Sequence, residues 1–166
     1  MHNQTISVYR LYIKNFIFGV EDSLVSTVGL LSGVAAAGLP KKEIFITGVV
    51  LVFVEAFSMG VGSYLSEGFT EDMESHKYKS NSTFFASLIM VMSYFVAGLI
   101  PITPYLLLPV SQAIYVSISF SIISLFFLGF IGGKKFEVKP LKHGLKMMFI
   151  GGAAILIGTI VGNLFN

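Results

Sequence analysis

The chain has 166 residues, 54% hydrophobic and only 12% charged, with a mean hydropathy of +0.81; an average soluble domain is about 25% charged. That balance excludes a soluble globular domain, and a net charge of +2 with lysines scattered among the connections excludes a nucleic-acid binder. With no cysteine there are no disulfides or thiolate metal sites, so any metal must be held by oxygen, imidazole or thioether.

Five apolar segments follow one another, at about residues 16–37, 44–66, 84–107, 110–132 and 145–165. Each is long enough to cross about 30 Å of hydrocarbon as a helix. None alternates with period two, so the spans are helices and not barrel strands. The expected fold is all-α, a polytopic membrane protein whose residues 1–166 form a single transmembrane domain.

The first segment follows Arg10 and Lys14 and ends in Ala35-Ala36-Ala37, which superficially resembles a secretory signal. A signal core runs only about 7–15 residues, whereas this segment is membrane-length and carries Glu21 and Asp22. These neighbours point about 100° apart on a helix. Asp22 is the candidate for a pore, and Glu21 either snorkels, pairs with Lys14 or lines the same route.

Glu55 lies near the centre of the second segment, where no other charged residue occurs. A carboxylate at mid-membrane costs roughly 2.5–3.5 kcal/mol on insertion scales, so it implies a partner, a cavity or an ion. Met59 and Ser63 follow at successive 40° steps and form one slanting stripe with it. On the helical rise Glu55 is about 18 Å and Met59 about 12 Å below Glu67, while Asp22 is about 9 Å into the first span. Asp22, Met59 and Glu55 can therefore line one route. Carboxylates supply charge and a thioether favours ions softer than Mg²⁺ or Ca²⁺, which suits a first-row divalent cation. A carboxylate that releases a proton to accept metal also couples the two movements. The plainer reading makes Met59 a space-filler and Glu55 a neutral acid hydrogen-bonded between helices.

The polar segment 67–83 contains Glu67, Glu71, Asp72, Glu74 and His76, either a cation-collecting surface or a solvated acidic loop. From residue 80 to 133 no Asp, Glu, Lys or Arg appears. Pro101, Pro104 and Pro109 crowd the connection between the third and fourth spans, where missing N–H groups are expected to prevent a continuous helix and force a tight turn. Gly29 and Gly33 in the first span and Gly158 and Gly162 in the last stand at small-xxx-small spacing, which serves close helix packing or a dimer face.

Nine basic residues, Arg10, Lys14, Lys77, Lys79, Lys134, Lys135, Lys139, Lys142 and Lys146, fall on the N-terminal side of the membrane, against Lys41 and Lys42 on the other. The expected topology has a cytoplasmic N-terminus and an extracytoplasmic or luminal C-terminus. No catalytic constellation stands out and no cofactor is expected.

Phe18-Gly19-Val20-Glu21-Asp22-Ser23-Leu24-Val25-Ser26-Thr27 is similar to the first-helix signature FGxxDGLVS of the vacuolar iron transporter family. Ser58-Met59-Gly60-Val61-Gly62-Ser63-Tyr64-Leu65-Ser66 resembles its SMAxGEYxS segment, and Gly98-Leu99-Ile100-Pro101-Ile102-Thr103-Pro104-Tyr105 its GxxIPLLPY. Gly144-Leu145-Lys146 leads, as in that family, into a glycine-rich last helix. The resemblance implies a homodimer in the lipid membrane with its pathway at the subunit interface, and proton-coupled export of Fe²⁺ or Mn²⁺ from the cytosol. It makes Asp22 the pore aspartate and Met59 the pore methionine. Ser63 stands where the family has the glutamate of GEY, and Glu55 where the family pattern has a small or apolar residue, so Glu55 is a candidate compensating ligand. The short 67–83 segment resembles the nodulin-like branch, which lacks the long glutamate-rich cytoplasmic domain.

The metal-site expectation is therefore Asp22, Glu55, Met59, Glu67 and Glu71, with Glu21 and Ser63 lining the path. Two other functions remain open at this stage. One is a scaffold in which Glu55 is a packing hydrogen bond; the other is a transporter of a larger solute held by Tyr64, Tyr94 or Tyr105.

Overall fold

A computed structural model describes residues 2–73 and 80–165; of residues 2–6, 71–73 and 80 only the backbone is described. The described chain forms five helices, α1 (His2–Ala36), α2 (Lys41–Met73), α3 (Ser80–Leu107), α4 (Val110–Lys135) and α5 (Pro140–Asn163). All five are long and apolar enough to span a membrane. The all-α, five-span expectation holds.

The helices outrun the apolar segments. α1 begins well before residue 16, and α2 carries Glu67 to Met73 as helix where a loop was expected. The depth of about 9 Å for Asp22, counted from residue 16, is thus not its distance from the start of α1. These extensions contain no proline, and Leu11 and Asn15 are buried, so packing continues where hydropathy has already fallen.

The α1–α2 turn is built by hydrogen bonds. Gly38 adopts φ 77°, its N–H reaches the carbonyl of Ala35, and the Leu39 N–H reaches that of Val34. That left-handed position suits glycine, and Pro40 then prevents the helix from continuing.

The proline expectation is corrected. α3 runs unbroken through Pro101 and Pro104, and the chain turns only at Leu108-Pro109. The missing N–H groups free the carbonyls of Ala97 and Ile100, while α3 is held in place by packing on α1, α2 and α4. Beside the prolines, Ser117 Oγ of α4 donates to the Pro101 carbonyl at 2.8 Å and Thr103 Oγ1 to that of Leu99 at 2.6 Å.

α1 is the central helix and packs on all four others, whereas α2 packs on α3 and α1 alone. The far side of α2 is consequently open, with Phe53, Val54, Phe57, Val61 and Leu65 exposed. Between α1 and α5 the glycines close the gap. A Cβ added at Gly158 would lie 2.0 Å from the Gly29 carbonyl oxygen, and one at Gly162 would lie 2.0 Å from that of Gly33. The small-residue spacing serves packing within the protomer.

Candidate functional site

The stripe anticipated on α2 exists and runs further than expected. Glu55, Met59, Ser63 and Glu67 recur every fourth residue, and three of them have a polar partner on α1 or α3. Glu55 is half-buried and accepts a 2.5 Å hydrogen bond from the Tyr94 hydroxyl of α3. That hydroxyl also lies 2.7 Å from Ser26 Oγ of α1, while Ser23 Oγ donates to the Tyr94 carbonyl at 2.6 Å. Tyr94 is fully buried and ties three helices together at the level of Glu55.

Asp22 is half-buried on α1 and within electrostatic range of both Glu55 and Glu21. It lines a groove of about 570 Å³ with Ser26, and the rest of that lining is glycine and apolar side chains of α1 and α5. Asp22 of α1 and Glu55 of α2 thus lie within electrostatic range of each other inside the membrane-length part of the structure. Glu21 is half-buried next to Asp22 and does not pair with Lys14, whose ammonium is engaged elsewhere.

Towards the other end of the stripe, Met59, Ser63 and Glu67 line a second cavity of about 330 Å³ with Lys14, Asn15 and Met90. Ser63 Oγ donates to Asn15 Oδ1 at 2.5 Å, and Lys14 Nζ meets Glu67 Oε1 at 2.6 Å. The latter is the one ion pair among the described residues. Tyr94 links the stripe to the Asp22 groove, because its hydroxyl bonds Glu55 of the one and Ser26 of the other.

The structure therefore brings Asp22 together with Glu55, and Met59 together with Ser63 and Glu67. The side chains of Glu71 and Asp72, and the expected cation collectors Glu74 and His76 altogether, lie outside what is described. Three participants escaped the sequence reading as members of this site: Tyr94, Asn15 and Lys14. Asn15 and Lys14 signalled themselves weakly, as polar residues on the edge of an apolar run. Nothing in the sequence paired Tyr94 with Glu55. Of the tyrosines considered for a larger solute, Tyr94 and Tyr105 are buried within the packing, while Tyr64 is exposed and lines a largely apolar pocket of about 370 Å³ between α2 and α3.

The magnitudes separate stability from function. Hydrogen bonds between membrane helices average about 0.6 kcal/mol and reach about 1.7, less than the roughly 2.5–3.5 kcal/mol that a mid-membrane carboxylate costs. The Tyr94 bond alone does not offset Glu55. A chain that only needed packing would have no use for two such acids on facing helices.

The sequence profile of the VIT family matches residues 13–83 and 69–163, nearly the whole chain. The chain belongs to the VIT family. Its relatives include proteins named vacuolar iron transporter 1 from Tulipa gesneriana and from Arabidopsis thaliana, each 22% identical over 203 residues. These alignments cover 86% of this chain and 82% and 81% of the two relatives. A vacuolar iron transporter of Plasmodium berghei (strain Anka) is 31% identical over 65 residues, 39% of this chain and 24% of that protein.

Membership also accounts for the short polar segment. Because 86% of 166 residues is about 143, about 60 of the 203 positions aligned with the tulip protein face no residue here. The two stretches matched by the VIT profile meet and overlap at residues 69–83, between α2 and α3.

Proposed function

We propose that this chain carries Fe²⁺ or Mn²⁺ out of the cytosol across a membrane, in exchange for protons, as a homodimer of one transmembrane domain each. The observation that carries the reading is the pair Asp22 and Glu55, two carboxylates from facing helices within electrostatic range, with the Met59 thioether on the same stripe. Its VIT-family relatives are named for iron.

The stripe offers a descending series of donors. A cation arriving at the end where Glu67 lies meets its carboxylate, then the oxygens of Ser63 and Asn15, then the Met59 sulfur, then Glu55 and Asp22. Thioether contact favours Fe²⁺ over Mg²⁺ or Ca²⁺, which prefer oxygen alone. Carboxylates that take up protons as the metal leaves supply the exchange. Among the described residues no three His, Asp or Glu side chains converge. A second copy that brought its own Asp22, Glu55 and Met59 to a two-fold axis would complete a ligand set that one protomer lacks. Arg10, Lys14 and the lysines from 134 to 146 belong to the helix ends on the N-terminal side, which supports a cytoplasmic N-terminus and a C-terminus outside or in a lumen.

One observation favours the scaffold reading: Glu55 is hydrogen-bonded to a neighbouring helix, and the groove at Asp22 is largely apolar. Purified protein in liposomes decides between them. Fe²⁺ and Mn²⁺ should cross faster when a pH gradient is imposed, with Mg²⁺ far slower; liposomes in which no divalent ion crosses under any gradient establish the scaffold.

A further inference from the structure

We propose that Lys14 is a built-in competitor of the transported cation, its ammonium filling the seat at Glu67 that a metal ion must take to enter. The inference rests on reading the Met59–Glu67 cavity as the entrance. The geometry is asymmetric. The Glu67 side chain is 10% exposed, and that of Lys14 is 69% exposed although its Nζ lies 2.6 Å from Glu67 Oε1. Glu67 therefore stays fixed within the packing while the lysine reaches in from outside.

A buried carboxylate left unpaired is costly, so this one needs a cation whenever metal is absent. A lysine suits a replaceable one. Its ammonium is a compact point charge on a flexible stem, whereas arginine would hold a carboxylate through two parallel bonds. Because the stem is exposed, the ammonium can swing out without disturbing the core. Asn15, next to Lys14 on α1, is bonded to Ser63 one turn away on the stripe, so the same turn of α1 closes both steps of the entrance.

Entry is then an exchange of cations and not an addition. A divalent ion replaces one positive charge by two, while a monovalent ion gains nothing over the resident ammonium. The residue sets selectivity at the cost of affinity: a site open a tenth of the time binds about ten-fold more weakly than its intrinsic constant.

Mn²⁺ binding to the full-length protein in detergent, by calorimetry, and Mn²⁺ uptake into liposomes test this together. Lys14→Met should tighten Mn²⁺ binding and lower KM by about ten-fold. Lys14→Arg, which keeps the pair, should bind Mn²⁺ no more tightly than the parent. Adding Glu67→Gln to Lys14→Met should erase the gain. Weaker or unchanged binding in Lys14→Met overturns the proposal, as does tighter binding in Lys14→Arg should Lys14→Met fail to fold. No Mn²⁺ binding to any of the proteins also overturns it. Predicted shifts in binding without flux in the parent would leave Lys14 in this role and remove the transport reading alone.

Discussion

α1 meets its neighbours in two contrasting ways. Against α5 it presents Gly29 and Gly33, and the backbones approach until no Cβ fits. Against α2 and α3 it presents Lys14, Asn15, Ser23 and Ser26, each hydrogen-bonded across the contact or within it. The first seam is a close glycine contact held by dispersion, with a groove beside it that reaches Asp22. The second carries carboxylates that packing alone gives no reason to keep. α1 thus meets α5 through contacts that packing explains, and α2 and α3 through contacts that packing alone does not.

Substitutions should fall on one side or the other of that division. The largest effect on stability is expected at the glycine seam. Gly162→Leu drives a side chain into the Gly33 carbonyl and should cost about 3 kcal/mol, seen as loss of monodisperse protein or a thermal midpoint many degrees lower. A well-folded Gly162→Leu protein would show that the seam tolerates separation. Tyr94→Phe keeps the ring but leaves Glu55 and Ser26 without their shared hydroxyl. It should cost about 1 kcal/mol and slow metal flux disproportionately; a loss of stability with flux intact would move Tyr94 to the structural side. Ser63→Ala should have the smallest effect, about 0.6 kcal/mol, with a thermal midpoint barely displaced. A large destabilisation there would mean that the Asn15–Ser63 bond holds α1 to α2.

Much of the fold was legible because lipid imposes a length. Five apolar runs of 20-odd residues allow little but five helices, and the 3.6-residue period set Glu55, Met59 and Ser63 on one stripe. Helix ends were less legible. Hydropathy falls at residues 16 and 66 while the backbone keeps its hydrogen bonds through Met73 and back to His2. Pro101 and Pro104 read as breakers because a sequence does not display the three helices packed around α3 that hold it straight. The partners of the stripe were not legible either. Periodicity states which residues share a face, but which face meets which depends on the rotation and tilt of α1 and α3. Lys14 thus found Glu67 and not Glu21, and Tyr94 found Glu55.

The central claim is that the acids of the polar seam carry ions. Glu55→Gln tests it most directly, because the amide oxygen still accepts the Tyr94 hydrogen bond while the charge and the exchangeable proton are gone. In liposomes with a pH gradient, Fe²⁺ or Mn²⁺ flux should fall about ten-fold or more, with the thermal midpoint near that of the parent. Flux equal to the parent's in equally folded Glu55→Gln would contradict the account.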